Sequence, residues 1–229
     1  MFDHIAFDTP YQTLQLPQPV QLTIKRLDLI HPQISGNKFF KLKYNLLAAQ
    51  QQGFSQVLTF GGAFSNHIAA TAYCGKYFDI PTIGLIRGEE LSEKLDLNAT
   101  LKLAAENGMQ FRFVSREQYR EKADLKSQIL HEFPEALLIE EGGTNELAVS
   151  GIRFMLSEHT KDFHYLCTAV GTGGTIAGIS KYCEPHQKVL GFSVMKDFSL
   201  ESKIIELSGK NNFKIFLFLK QTVTKFTIL

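Results

Sequence analysis

From residue 37 onward the chain alternates short apolar runs with stretches whose apolar residues recur every three or four positions. The first such stretch predicts a helix over 38–52. Phe40, Tyr44 and Leu47 share a face, Asn37 stands where a cap is needed, and Gly53 marks the stop. Val57 to Phe60 reads as a buried strand, followed by the turn Gly61-Gly62 and a helix over 66–77. Pro81 opens a strand over 82–86. Leu97, Leu101, Ala104 and Ala105 form a helical stripe that ends at Gly108. A strand over 111–114 is followed by Ser115 and Gln118, which have the spacing of a capping box and start a helix that ends before Pro134. Strands over 136–139 and 165–170 lead into the turns at Gly142-Gly143 and Gly171-Thr172-Gly173-Gly174-Thr175, the latter opening a helix near Ile176. Strands alternating with helices predict an α/β protein with parallel sheets.

The last segment breaks the pattern. No acidic residue follows Glu206 and no Gly or Pro follows Gly209. Residues 213–229 have strand-like composition without turn punctuation. They read either as one or two terminal strands or as sequence unrelated to the rest of the fold.

Composition narrows the function class. The 229 residues carry a net charge of +1, which argues against a nucleic-acid binder, since phosphate contacts need clustered Lys and Arg. No stretch approaches the roughly 20 apolar residues of a membrane span. Asp3, His4 and Asp8 occupy the place of a signal segment, and Cys74, Cys167 and Cys183 show no paired spacing, so a cytoplasmic protein with reduced thiols is expected. His4, His31, His131, His159, His164 and His186 have no metal-ligand spacing, and no metal site is expected. No nucleophile elbow is present.

Three segments can carry chemistry. Lys38, in Ser35-Gly36-Asn37-Lys38, falls in the first turn of a helix. There the positive end of the helix dipole and the nearby Lys41 and Lys43 favour a neutral amine, the form that attacks an aldehyde. The plain alternative is a solvated surface lysine. Gly61-Gly62-Ala63-Phe64-Ser65-Asn66-His67 combines glycines, side-chain donors and a helix N-terminus, which suits a carboxylate or phenolate. Here the plain alternative is that Ser65 or Asn66 is only an N-cap. Gly171, Thr172, Gly173, Gly174 and Thr175 resemble a phosphate cradle. Ile176 stands where the dinucleotide fingerprint needs Gly or Ala, and the chain lacks a Walker A Gly-Lys-Ser/Thr triplet. A phosphate is therefore expected without a classical ATP or dinucleotide site, although an unrelated nucleotide-binding α/β protein stays open on the glycine loops alone.

The runs Ser35-Gly36-Asn37-Lys38-Phe39-Phe40-Lys41-Leu42-Lys43-Tyr44-Asn45 and Phe60-Gly61-Gly62-Ala63-Phe64-Ser65-Asn66-His67 resemble the 1-aminocyclopropane-1-carboxylate deaminase and D-cysteine desulfhydrase family. Glu141-Gly142-Gly143-Thr144-Asn145 and Gly171–Thr175 follow in the family's order, and the likeness covers about residues 15–205. The resemblance implies a two-domain, tryptophan synthase β-like fold (fold type II) and pyridoxal 5'-phosphate as cofactor. Lys38 would carry the cofactor and move the proton at the substrate carbon. Asn66 would bond the cofactor's phenolic oxygen, and Gly171, Thr172, Gly173, Gly174 and Thr175 its phosphate. Ser65, Asn66 and His67 would receive the carboxylate of a small amino-acid substrate, with Ser65 also counted as catalytic.

The implied domains are 1–48 with 153–229, holding the cofactor, and an inserted 49–152. A homodimer is the family's usual assembly. The family also carries a Tyr-Thr-Gly or Tyr-Glu-Gly segment near its C-terminus, whereas the last tyrosine here is Tyr182. This implies a truncated or frameshifted member with an incomplete large domain, and makes a catalytically impaired cofactor-binding remnant the alternative to an active deaminase.

Overall fold

The structure, a computed structural model, describes residues 9–94, 98–193 and 195–217. Leu97 and the tail beyond 217, on which two of the expectations bear, lie outside these residues.

A short antiparallel hairpin comes first, strands β1 (Tyr11–Leu14) and β2 (Leu22–Lys25). The sequence pattern did not reveal it. Tyr11 fixes its position, with Oη 2.7 Å from Ser157 Oγ and 2.9 Å from Thr160 Oγ1. Helix α1 (Asn37–Gln51) follows, then β3 (Gln56–Gly61), α2 (Asn66–Phe78), β4 (Thr82–Arg87), α3 (Ala99–Glu106) and β5 (Gln110–Val114). The capping box at Ser115 and Gln118 is formed, but it opens only the five-residue α4 (Arg116–Arg120). The chain breaks at Glu121 (φ −82°, ψ 56°) before α5 (Lys122–Glu132), so one expected helix is two. Strand β6 (Ala136–Ile139) completes a parallel four-stranded sheet in the order β5-β4-β3-β6.

A second parallel sheet, β7-β8-β9, is built from β7 (Tyr165–Val170), β8 (Lys188–Ser193) and β9 (Phe213–Leu217). Between its strands lie α7 (Gly174–Tyr182) and α8 (Leu200–Ser208). The strand-like composition of the tail is thus realised in β9, which pairs in register with β8 from Phe213 opposite Val189 to Leu217 opposite Ser193. One face of this sheet stays open among the described residues. Tyr165 and Phe216, which share that face, are exposed, although parallel sheets are ordinarily covered on both faces.

Helix α6 (Glu146–Ile152) follows β6 and packs against both α1 and α7. Helix α1 buries Phe39, Phe40, Leu42 and Leu46, each worth roughly 1.5–3 kcal/mol. Glycines let the helices cross closely. A Cβ on Gly151 of α6 would lie 2.0 Å from the Phe40 carbonyl oxygen of α1, and one on Gly178 of α7 would lie 2.4 Å from Ile152 Cβ of α6. α6 is therefore the post against which both α1 and α7 are set.

The Asn37 cap is a correction. Gly36 holds the capping position with φ 67°, a conformation glycine adopts without steric penalty, and Asn37 is the first helical residue. Its side-chain amide instead donates to Thr175 Oγ1 at 2.7 Å, tying the start of α1 to the start of α7.

Candidate active site

The start of α1 and the loop before α7 face each other across a cavity of about 170 Å³. Asn37, Lys38, Lys41, Gly142 and the whole run Gly171–Thr175 line it. Helix α7 has no side-chain cap, and Gly173 at its N-cap has φ 87°. The first-turn amides of a helix have no intrahelical partner. This end therefore offers unpaired N–H groups and the positive end of a dipole. A Cβ on Gly174 would lie 2.8 Å from Thr144 Oγ1 and 2.9 Å from Lys41 Nζ, so a side chain there would collide with the site.

Lys38 is largely buried, and burial lowers its pKa from 10.5 to about 8. Its Nζ donates to the Gly142 carbonyl at 3.2 Å. Desolvation is the cause of the shift; Lys43, counted earlier as a nearby charge, instead lies over the Phe154 ring, 5.2 Å from its centre. Lys41 is more deeply buried than Lys38. Its Nζ donates to the same Gly142 carbonyl at 2.6 Å and to Thr144 Oγ1 at 3.0 Å. Burial and then the Lys38 charge hold its pKa well below the ordinary lysine value. Thr144 Oγ1 lies 2.5 Å from Thr172 Oγ1, linking this cluster to the glycine-rich loop. Lys41 stands one helical turn from Lys38, and that i,i+3 spacing is the sequence signal for a second amine in the same site.

The loop 61–67 is placed differently. Ser65 caps α2, its Oγ accepting from Ile68 N at 3.4 Å. Asn66 is exposed in the first turn. His67 is buried, with Nε2 2.9 Å from Thr59 Oγ1. None of the three lines the cavity of Lys38. His67 nonetheless senses it: burial first, then the Lys38 and Lys41 charges, push its pKa well below the usual histidine value. Among the described residues no group of His, Cys, Asp and Glu could hold a metal.

A buried amine of lowered pKa, facing glycine amides with a second buried amine beside them, defines a site for a phosphorylated carbonyl compound set between two parallel sheets. The family model described as pyridoxal-phosphate dependent enzyme matches residues 4–195, and the chain belongs to that family. Pyridoxal phosphate is its cofactor, and the architecture is that of the fold type II enzymes. A putative 1-aminocyclopropane-1-carboxylate deaminase of Thermotoga maritima is 35% identical over 184 residues, covering 75% of this chain and 57% of the relative. The bifunctional D-cysteine desulfhydrase/1-aminocyclopropane-1-carboxylate deaminase of Arabidopsis thaliana is 31% identical over 182 residues, covering 72% and 45%. A crystal structure of an ACC deaminase homologue superposes with a TM-score of 0.73 at 25% identity, covering 92% of this chain and 72% of that one. The chain thus spans about half the length of the curated relatives it matches.

The residues present fit the cofactor: an amine for its aldehyde, and unpaired amides and a second amine donor for its phosphate, line one cavity of matching polarity.

Proposed function

We propose that this chain is a deaminase or lyase that converts a small amino acid, 1-aminocyclopropane-1-carboxylate or D-cysteine, to a 2-oxo acid and ammonia. Lys38 is the residue that holds pyridoxal phosphate. One observation carries the reading: Lys38 and the Gly171–Thr175 cradle line the same cavity. The cofactor, when bound, supplies the electron sink at the substrate's α-carbon. The protein supplies the rest. Thr172, Thr175 and the amides of the α7 start bind the phosphate, and Lys41 neutralises it. Lys38, released from the Gly142 carbonyl, moves the proton at the α-carbon. Asn66 bonds the phenolic oxygen, and Ser65, Asn66 and the amide of His67 take the carboxylate once the ligand bridges from the cavity to the loop.

The sheet β5-β4-β3-β6 forms a small domain over 49–152 and the flanking segments the cofactor domain, so closure of one on the other brings the loop to Lys38 and excludes water. Three free cysteines suit a cytoplasmic protein, and no described helix is long and apolar enough to cross a membrane. The resemblance adds a homodimer. Released ammonia and 2-oxo acid, measured from each of the two amino acids after loading with pyridoxal phosphate, test the activity. A protein that loads the cofactor and turns over neither is the impaired remnant instead.

Two further outcomes follow from the geometry. Only the neutral amine attacks an aldehyde, so attachment of pyridoxal phosphate should accelerate as pH rises and level off above about 8, the pKa of Lys38. Stopped-flow absorbance across pH measures this; a midpoint near 10.5 refutes the lowered pKa. Lys41→Met should weaken pyridoxal phosphate by about 2 kcal/mol, roughly thirtyfold, through loss of a charge-assisted hydrogen bond. Pyridoxal, which lacks the phosphate, should bind the variant and the native chain alike in an equilibrium titration.

A further inference from the structure

The side chain of His67 takes no part in the roles above, which use only its backbone. It is 1% exposed, and its Nδ1 has no hydrogen-bond partner among the described residues. Its protonation state follows from its neighbours. Thr59 Oγ1 lies 2.7 Å from the Ile139 carbonyl, which can only accept, so the single Thr59 hydroxyl proton is spent there. The Thr59 oxygen can then only accept from the imidazole 2.9 Å away. Nε2 must carry the proton, and Nδ1 is left bare. A proton on Nδ1 would have no acceptor and would put a third cation beside Lys38 and Lys41.

This chain of bonds joins two parts of the site. His67 stands in the first turn of the helix that follows the Gly61–Ser65 loop, and Ile139 ends β6, just before the turn at Glu141–Gly143. The ring packs on that turn: a Cβ on Gly143 would lie 3.0 Å from His67 Cε1. Gly142 and Gly143 both have positive φ, and the Gly142 carbonyl is the acceptor shared by Lys38 and Lys41.

We propose that His67 is a positioning residue, locked by Thr59 as the neutral Nε2–H imidazole, that braces the Gly142–Gly143 turn and so sets the carbonyl orienting Lys38 and Lys41. The inference rests on the reading of Lys38 as the residue that holds the cofactor. It also links the loop for the substrate carboxylate to that lysine through one ring.

The test has two parts. Nitrogen-15 spectra of histidine-labelled protein without cofactor should show one buried imidazole with protonated Nε2 and bare Nδ1, unchanged over the pH range in which exposed histidines titrate. A protonated Nδ1, or a cationic ring, overturns the lock whatever Lys38 does. Next, Thr59→Val, of nearly the same shape, leaves Nε2–H without an acceptor, and should slow attachment of pyridoxal phosphate by about tenfold while that ring loses its single-tautomer signal. Thr59→Ser should restore both. An attachment rate in Thr59→Val equal to that of the native chain, or a slowing that Thr59→Ser fails to rescue, overturns the proposal and leaves His67 a packing residue. Failure of the reading of Lys38 looks different: the native chain itself then forms no lysine-bound cofactor.

Discussion

Lys38→Ala should remove the visible absorption of lysine-bound cofactor and lower turnover by on the order of a thousandfold or more, because it deletes the residue we propose as both attachment point and proton carrier. The phosphate cradle and Lys41 remain, so pyridoxal phosphate should still bind, reversibly and without the shifted band. A band that persists in the variant assigns attachment to another amine, and Lys41, 3.0 Å from Thr144 Oγ1 in the same cavity, is the one to examine.

The same position makes a stability prediction of definite sign. The folded pKa of Lys38 is about 8, below its unfolded value near 10.5, so folding releases a proton between those limits. The cost of burying the ammonium is present in full below pH 8 and is relieved as pH rises to about 10.5. At neutral pH that cost is roughly 3 kcal/mol at most. Lys38→Met, which keeps the apolar stem, should therefore stabilise the cofactor-free protein at pH 7 and give no advantage above pH 10.5. Urea denaturation at the two pH values measures it. A variant less stable at pH 7 would contradict the burial of that amine.

Gly151→Ala is expected to have the largest effect on the fold. The added Cβ would stand 2.0 Å from the Phe40 carbonyl oxygen and 3.0 Å from its carbon, both backbone atoms of α1. A rotamer change cannot relieve this, so α1 or α6 must move. Overpacking of this kind costs about 3 kcal/mol or more, which for a chain of this size lowers Tm by roughly 6–12 °C. Phe40 lies between Lys38 and Lys41, so any shift of α1 carries both amines away from the cradle. The variant should load pyridoxal phosphate poorly even at temperatures where it stays folded. Gly53→Ala is the control: nothing lies within 4 Å of its Cβ, and its cost is limited to the positive φ of 73°, about 1–2 kcal/mol. Equal melting temperatures for the two variants would refute the close crossing of α1 and α6.

Much of this fold can be read from the residues in order. Ala136–Ile139 and Tyr165–Val170 form strands over those very residues, and the pair Ser115 and Gln118 forms its capping box. The break at Glu121 escaped because no Gly or Pro marks it; the turn satisfies packing of Tyr119 and Leu125 in one core. Lys41 escaped for the opposite reason. A lysine is usually solvated, and only the crossing of α1 with the segment at Gly142–Thr144 buries this one. Asn37 was assigned to its own helix end because capping is a local habit, whereas its partner, Thr175, stands 138 residues away.

The one-dimensional order determined the alternation of strands and helices, the glycine turns and the set of chemical groups available, since periodicity, caps and turns act over a few neighbouring residues. Only the tertiary structure decided which of those groups share a cavity, which lysine is stripped of water, and which groups surround the His67 ring. Desolvation and hydrogen-bond partnership are properties of what surrounds a group in space, and those surroundings come from segments far apart along the chain.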